Sequence, residues 1–145
     1  MQEPCRFGVL FKQISLAFDA SLQHEATKYD LTSSQARMLI YLMKANHPVN
    51  QRELELFYHL SNPTVTGLMK RMEGKGFITR ETSYEDARSK NIILTDKARE
   101  ISGEVLLNLK KKEKCILQGL SEEEQRTLRN LLDRVLDGLS VCKEE

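Results

Sequence analysis

The sequence has almost no surplus of either charge: 22 Lys and Arg stand against 21 Asp and Glu, a formal net charge of +1. The overall excess of Lys and Arg that marks many nucleic-acid-binding proteins is missing, so any basic footprint has to be local. Chain breakers are scarce too, with seven Gly and three Pro in 145 residues, while 40% of the residues are hydrophobic. One compact, mostly helical domain is the expectation. No apolar run approaches the ~20 residues that cross a bilayer, and the N-terminus lacks the basic-then-apolar layout of a secretion signal. The expected location is the cytoplasm, with no membrane partner.

Cysteine is also sparse. Cys5, Cys115 and Cys142 are odd in number and far apart, which excludes a disulfide framework or a C-x-x-C metal spacing and points to reduced thiols. His24, His47 and His59 are isolated, the glycines form no phosphate-binding loop, and Glu122 to Glu124 suit the acidic start of a helix. Nothing here assembles a catalytic site, a cofactor site or a metal site, and the chain is not read as an enzyme.

What is present is helix, with legible starts. Thr32 with Gln35, Asn50 with Glu53, and Ser121 with Glu124 have the spacing of a capping box, and Ser61 and Thr95 suit simple N-caps. A first helix over about 6 to 27 places Phe7, Leu10, Phe11, Ile14, Phe18 and Leu22 on one stripe. A second, about 33 to 45, turns Met38, Leu39 and Leu42 inward, and Pro48 breaks the chain. A third, about 51 to 59, has Leu54 and Phe57 inward. The fourth begins after Ser61 with Pro63 in its first turn, buries Val65, Leu68, Met69 and Met72, and stops at Gly74-Lys75-Gly76. Two strand-like runs, FITRET and NIIL, flank a polar tip, and helices over about 96 to 118 and 122 to 139 follow. The last carries Leu128, Leu131, Leu132, Val135 and Leu139 on one face.

Two short helices joined by a tight turn and followed at once by a hairpin form the layout of a winged helix-turn-helix. Its second helix would lie in the major groove. The outward face of that helix presents Pro63, Thr66, Gly67 and Lys70, flanked by Thr64 and Arg71. Exposed helix faces are usually built from strong helix formers, and Gly there costs about 1 kcal/mol against Ala. Small, neutral or basic residues instead permit close approach, with Thr hydroxyls for base or phosphate and Lys for charge. From Asn62 to Ile92 the basic residues Lys70, Arg71, Lys75, Arg80, Arg88 and Lys90 exceed the acidic Glu73, Glu81, Glu85 and Asp86, giving a local +2. Arg88 and Lys90, in the hairpin turn, are placed to reach the minor groove, and Asp86 is expected to accept hydrogen bonds from the Arg88 guanidinium and fix it.

The run LSNPTVTGLMKRMEGKGFITRETSYEDARSKNIILTDKARE, Leu60 to Glu100, resembles the DNA-binding core of the MarR family of bacterial transcriptional regulators. The matching features are Ser-x-x-Thr-Val-Thr at the helix start, Gly-Phe-Ile-x-Arg leading into the wing, Asp86-x-Arg88, and Leu94-Thr95. The resemblance implies a two-fold dimer on an inverted-repeat operator, acting as a repressor released by a small-molecule effector or by oxidation. It assigns DNA contacts to Asn62, Pro63, Thr64, Thr66 and Lys70, and to Arg88 supported by Asp86, with Lys90 beside them. Ala98 stands where the family often has Gly. Some relatives sense oxidation through a cysteine in the first helix, which makes Cys5, beside Arg6, the candidate redox thiol; Cys115 reads instead as a small packed residue.

The expected organisation is a single domain over 1–145, with a winged helix-turn-helix lobe at 31–95 and dimerisation helices at 1–30 and 96–145. The terminal helices carry more apolar stripe than one lobe can cover, which a C2 interface would bury. The competing reading is a helical protein-interaction scaffold that uses those stripes and binds no DNA. KKKEK, Lys110 to Lys114, reads as a solvated helix face.

Overall fold

The computed structural model describes residues 6–142. Among the described residues there are six helices and one three-stranded antiparallel sheet. In order they are α1 (Arg6–Thr27), α2 (Ser33–Lys44), β1 (Val49–Asn50), α3 (Gln51–Tyr58), α4 (Asn62–Gly74), β2 (Ile78–Thr82), β3 (Lys90–Leu94), α5 (Asp96–Ile116) and α6 (Glu122–Val141). The chain forms two compact units, one running to Leu109 and the other from Lys110 onward.

The first unit holds the core. Leu22 and Ala26 of α1 join Met38 and Leu39 of α2, Leu54 of α3, and Val65, Met69 and Met72 of α4, all buried. The local signals act as expected at most boundaries. Thr32 and Gln35 make the reciprocal box, the Gln35 amide to Thr32 Oγ1 at 3.2 Å and the Thr32 amide to Gln35 Oε1 at 3.0 Å. Ser61 accepts from the Thr64 amide at 3.4 Å, and Thr95 from the Ala98 amide at 3.3 Å. Ala98 is fully buried and its carbonyl accepts from Ser102 Oγ at 2.6 Å, so its methyl is absorbed by the core.

Asn50 departs from the box. Its side chain accepts from the Glu53 amide at 3.0 Å, but the Glu53 carboxylate turns away to Tyr41 Oη at 2.5 Å and His47 Nε2 at 2.7 Å. A phenol and an imidazole from neighbouring segments compete successfully for an oxygen that the spacing alone would return to the backbone.

Two other expectations are corrected. The sheet has a third strand, β1, on the far side of β3 from β2, with Val49 opposite Ile92 and Asn50 opposite Asn91. At two residues it is too short to show an alternating pattern. Phe57 does not face inward; it is 59% exposed and packs on Tyr41 and Tyr58, ring centroids 4.5 and 4.9 Å away. At about 100° per residue, Leu54, Glu55 and Tyr58 share one arc of α3 and Phe57 falls some 60° outside it.

α4 ends as its punctuation implies. Gly76, at φ +76°, takes the left-handed position, the Gly76 amide donates to the Glu73 carbonyl at 3.0 Å and the Phe77 amide to Met72 at 2.9 Å. This Schellman arrangement reverses the chain into β2. The β2–β3 hairpin pairs Ile78 with Leu94 through to Thr82 with Lys90, and Thr95 Oγ1 locks its base by donating to the Gly76 carbonyl at 2.7 Å.

In the second unit, Ser121 and Glu124 complete a reciprocal box at the start of α6, whose first turn holds Glu122, Glu123 and Glu124. Leu131, Leu132, Val135, Leu136 and Leu139 of α6 are exposed in this single chain. So are Phe7, Leu10, Phe11 and Ile14 of α1, where Phe18 is half-buried and Leu22 buried. Lys110 to Lys114 are exposed, as a solvated face requires.

Candidate nucleic-acid interface

α3 and α4 meet at a tight turn. His59 takes the left-handed conformation, φ 52° and ψ 42°, and both its amide and that of Leu60 donate to the Glu55 carbonyl. Ser61 then caps α4, and Pro63 sits in the first turn, where its missing N–H is harmless. Because Val65, Leu68, Met69 and Met72 are buried, the opposite face is presented outward. Asn62, Pro63, Thr64 and Lys70 are exposed on it, with Thr66 and Gly67 half-exposed. The expected face is therefore assembled on one side of one helix.

Beneath that face lies a polar cluster that the sequence pattern did not reveal. The Glu55 carboxylate, only 6% exposed, accepts from Asn62 Nδ2 at 2.7 Å, Gln51 Nε2 at 3.2 Å and Arg52 Nη1 at 3.1 Å. Gln51 Nε2 also donates to Thr66 Oγ1 at 2.8 Å. The hydrogen bond from Asn62, then those from Arg52 and Gln51, hold the Glu55 carboxyl below the ordinary carboxylate range against a burial that would raise it. The one available signal was a carboxylate on the inward arc of α3, next to Leu54.

The wing carries Arg88 and Lys90, both exposed, with Tyr84 fully exposed at its tip. Asp86 lies beside Arg88 but does not hold its guanidinium. Its Oδ1 accepts from the Arg88 backbone amide at 2.9 Å, and its carbonyl accepts from the Ser89 amide at 3.0 Å. Asp86 thus builds the turn that points Arg88 outward, at no cost in Arg rotamer freedom.

Local charge is divided in a consistent way. Arg80 Nε is 2.8 Å from Glu73, and Lys75 bonds the Asp30 carbonyl with the Asp30 carboxylate 3.4 Å away. Among the described residues no ion pair engages Lys70 or Arg71 of α4, or Arg88 or Lys90 of the wing. Arg71 and Lys75 also line a cleft of about 620 Å3 with Thr32, Ser34, Gln35 and Leu68.

Cys5 lies outside the described residues. Cys115 is exposed rather than packed, as is Cys142. Among the described residues no group of three or more His, Cys, Asp or Glu is placed to hold a metal ion, and no helix is long and apolar enough to cross a membrane.

This helix-turn-helix with its wing can be compared with known proteins. The model of the MarR family matches residues 29–89, the segment from the end of α1 to the wing turn. The chain is 31% identical over 135 residues to the HTH-type transcriptional regulator PecS of Dickeya dadantii (strain 3937), covering 92% of this chain and 81% of PecS. It is 36% identical over 118 residues to the HTH-type transcriptional regulator MgrA of Staphylococcus aureus, covering 81% and 78%. The chain belongs to the MarR family. Its fold is that of solved MarR-family regulators: superposed on MepR of S. aureus in its DNA complex, it gives a TM-score of 0.81 at 26% identity, over 91% of this chain and 97% of MepR. In this MarR-family chain the helix-turn-helix is formed by α3 and α4 and the wing by β2 and β3.

Proposed function

We propose that this chain is a sequence-specific double-stranded DNA-binding transcriptional regulator, a cytoplasmic repressor that binds an inverted-repeat operator as a homodimer and is released by a small-molecule effector. The observation that carries the reading is the outward face of α4, small and neutral or basic, beside Arg88 and Lys90 exposed on the wing. α4 would enter the major groove, with Asn62, Pro63, Thr64, Thr66 and Lys70 against bases and phosphates, while Arg88 and Lys90 track the adjacent minor groove. Asp86 contributes indirectly, by shaping the turn that presents Arg88. The MepR neighbour, solved as a DNA complex, supports the same use of this fold.

The dimer reading rests on exposed apolar residues. Phe7 is 74% exposed on α1, and Leu136 is 60% exposed on α6, both on stripes that a second copy would cover. In this reading residues 31–95 form the DNA-binding lobe, and 1–30 with 96–145 form the dimerisation part. The half-sites would lie roughly 34 to 36 Å apart, or a multiple of that.

The test is a fluorescence-anisotropy titration of the protein against its own upstream intergenic duplex and a scrambled duplex at several salt concentrations. Tighter binding to the upstream duplex with a steep salt dependence is expected. Failure to bind any duplex at low salt, with a monodisperse folded protein, would remove DNA from the function and leave the interaction scaffold.

A further inference from the structure

Asn62 is exposed at the first position of α4, and a side-chain amide there can present either of two opposite chemistries, an acceptor carbonyl or a donor NH2. Its choice is determined from below. The group 2.7 Å from Asn62 Nδ2 is the carboxylate of Glu55, which when ionised only accepts. The amide must therefore turn its NH2 down to Glu55 and its Oδ1 away. Among the described residues no hydrogen bond engages that Oδ1.

Glu55 is itself held on three sides. Gln51 and Asn62 donate to its Oε1 and Arg52 to its Oε2, and the α3–α4 turn is closed on its own carbonyl. Such convergence keeps the carboxylate ionised and stationary. An acidic side chain under a DNA-facing surface otherwise works against binding to phosphates, so its placement requires a local reason. Orientation of Asn62 supplies one.

We propose that Glu55 is a positioning residue that sets the hydrogen-bonding polarity of Asn62, so that α4 presents an acceptor to the major groove and selects a base bearing an exocyclic amino group, adenine N6 or cytosine N4. The inference rests on the DNA-reading role of α4 proposed above. Guanine and thymine offer O6 and O4 acceptors at the equivalent place, and against a fixed carbonyl these are repelled. A free Asn amide rotates to suit either pair.

The experiment selects bound duplexes from a randomised library with wild type, Asn62→Ala, Glu55→Ala, Glu55→Gln and the Asn62→Ala/Glu55→Ala double variant, and sequences what each retains. Wild type is expected to require A or C on the contacted strand at one position per half-site, with discrimination on the order of 10- to 100-fold. Asn62→Ala locates that position by losing the preference there alone. Glu55→Ala relaxes the preference at the same position with the rest of the motif intact, and adds nothing further in the Asn62→Ala background. Glu55→Gln does likewise, because Gln offers Asn62 both a donor and an acceptor; near-isosteric, it also carries the test if Glu55→Ala melts in a thermal scan.

A purely structural Glu55 would instead lower affinity for every sequence by the same factor and leave the motif unchanged in both variants; that result overturns the proposal. So does a Glu55 effect at a position other than the one Asn62→Ala identifies. A wild-type protein that enriches no motif at all overturns the DNA-reading role first, and is distinguishable because no variant is needed to see it.

Discussion

Gly67 separates what α4 needs as a helix from what it needs as a surface. It lies in the middle of a 13-residue helix, where glycine costs roughly 0.8 to 1.0 kcal/mol relative to alanine. The fold does not require glycine there: Gly67 does not take a positive φ, and a Cβ built on it would meet only Arg71 Nη2, at 3.6 Å, ordinary van der Waals contact with the end of a flexible side chain. Gly67→Ala should therefore raise unfolding free energy by about 1 kcal/mol, a Tm increase of about 2 to 4 °C for a chain of this size.

The same methyl lies on the face formed with Pro63, Thr66 and Lys70. If that face closes on DNA, one added methyl in a close-packed contact costs roughly 1 to 3 kcal/mol, so operator affinity should fall by about 5- to 150-fold as stability rises. Gly103→Ala is the control, an exposed glycine inside α5 with nothing within 4 Å of its built Cβ. It should raise Tm similarly and leave Kd unchanged. Thermal melts and anisotropy on the three proteins decide the matter. A stabilised Gly67→Ala protein that binds its operator as tightly as wild type would refute close approach at this face.

Further outcomes are expected. Arg88→Ala should weaken operator binding by about 1 to 3 kcal/mol at fixed salt if the wing makes a specific contact; an unchanged Kd removes the wing from recognition. Leu132→Asp, on the exposed apolar face of α6, should shift sedimentation toward monomer and reduce operator binding, whereas an unaltered sedimentation coefficient would exclude that face from the dimer. Glu25 is held below the ordinary 4.5 chiefly by its hydrogen bond from Lys28; in Glu53, burial acts upward but hydrogen bonds from Tyr41 and His47 prevail. The stability they contribute is complete above pH 4.5 and lost as pH falls through their lowered values. At the other end, Tyr29 and Tyr41 are raised to about 12 mainly by hydrogen bonds to Glu104 and Glu53, and Tyr58 to about 12 mainly by burial. Their contribution is complete below pH 10 and lost as pH rises from 10 toward 12. Tyr41→Phe should remove one late step from the phenolate absorbance titration; a titration in which these phenols ionise near 10 contradicts the geometry.

What could be read in advance was what depends on short spacing. Thr32–Gln35 and Ser121–Glu124 are local devices three residues apart, and both formed as the pattern required. The inward stripe of α4 and its glycine stop were legible for the same reason. β1 was not, because two residues carry no period, and Phe57 was misplaced because an eight-residue helix gives too little stripe to fix its inward direction. Glu53 and Asp86 miscarried more instructively. Spacing points each to one partner and competition gives it another, Glu53 the Tyr41 phenol and His47 imidazole, Asp86 the backbone amide of Arg88.

The cluster around Glu55 belongs to a third class, in which every residue is ordinary in sequence and the function lies in the crossing of two helices. Gln51 and Glu55 are four residues apart on α3, Asn62 and Thr66 four apart on α4, so each pair shares a helix face. The tight turn at His59 brings the two faces together, and the contacts become reciprocal: Glu55 to Asn62, Gln51 to Thr66, with Gln51 bridging back to Glu55. The geometry of the turn thus determines more than the angle at which α4 leaves α3. It also determines which atoms of two polar side chains remain free, and in a surface that reads bases by donors and acceptors, that choice is the content of the reading.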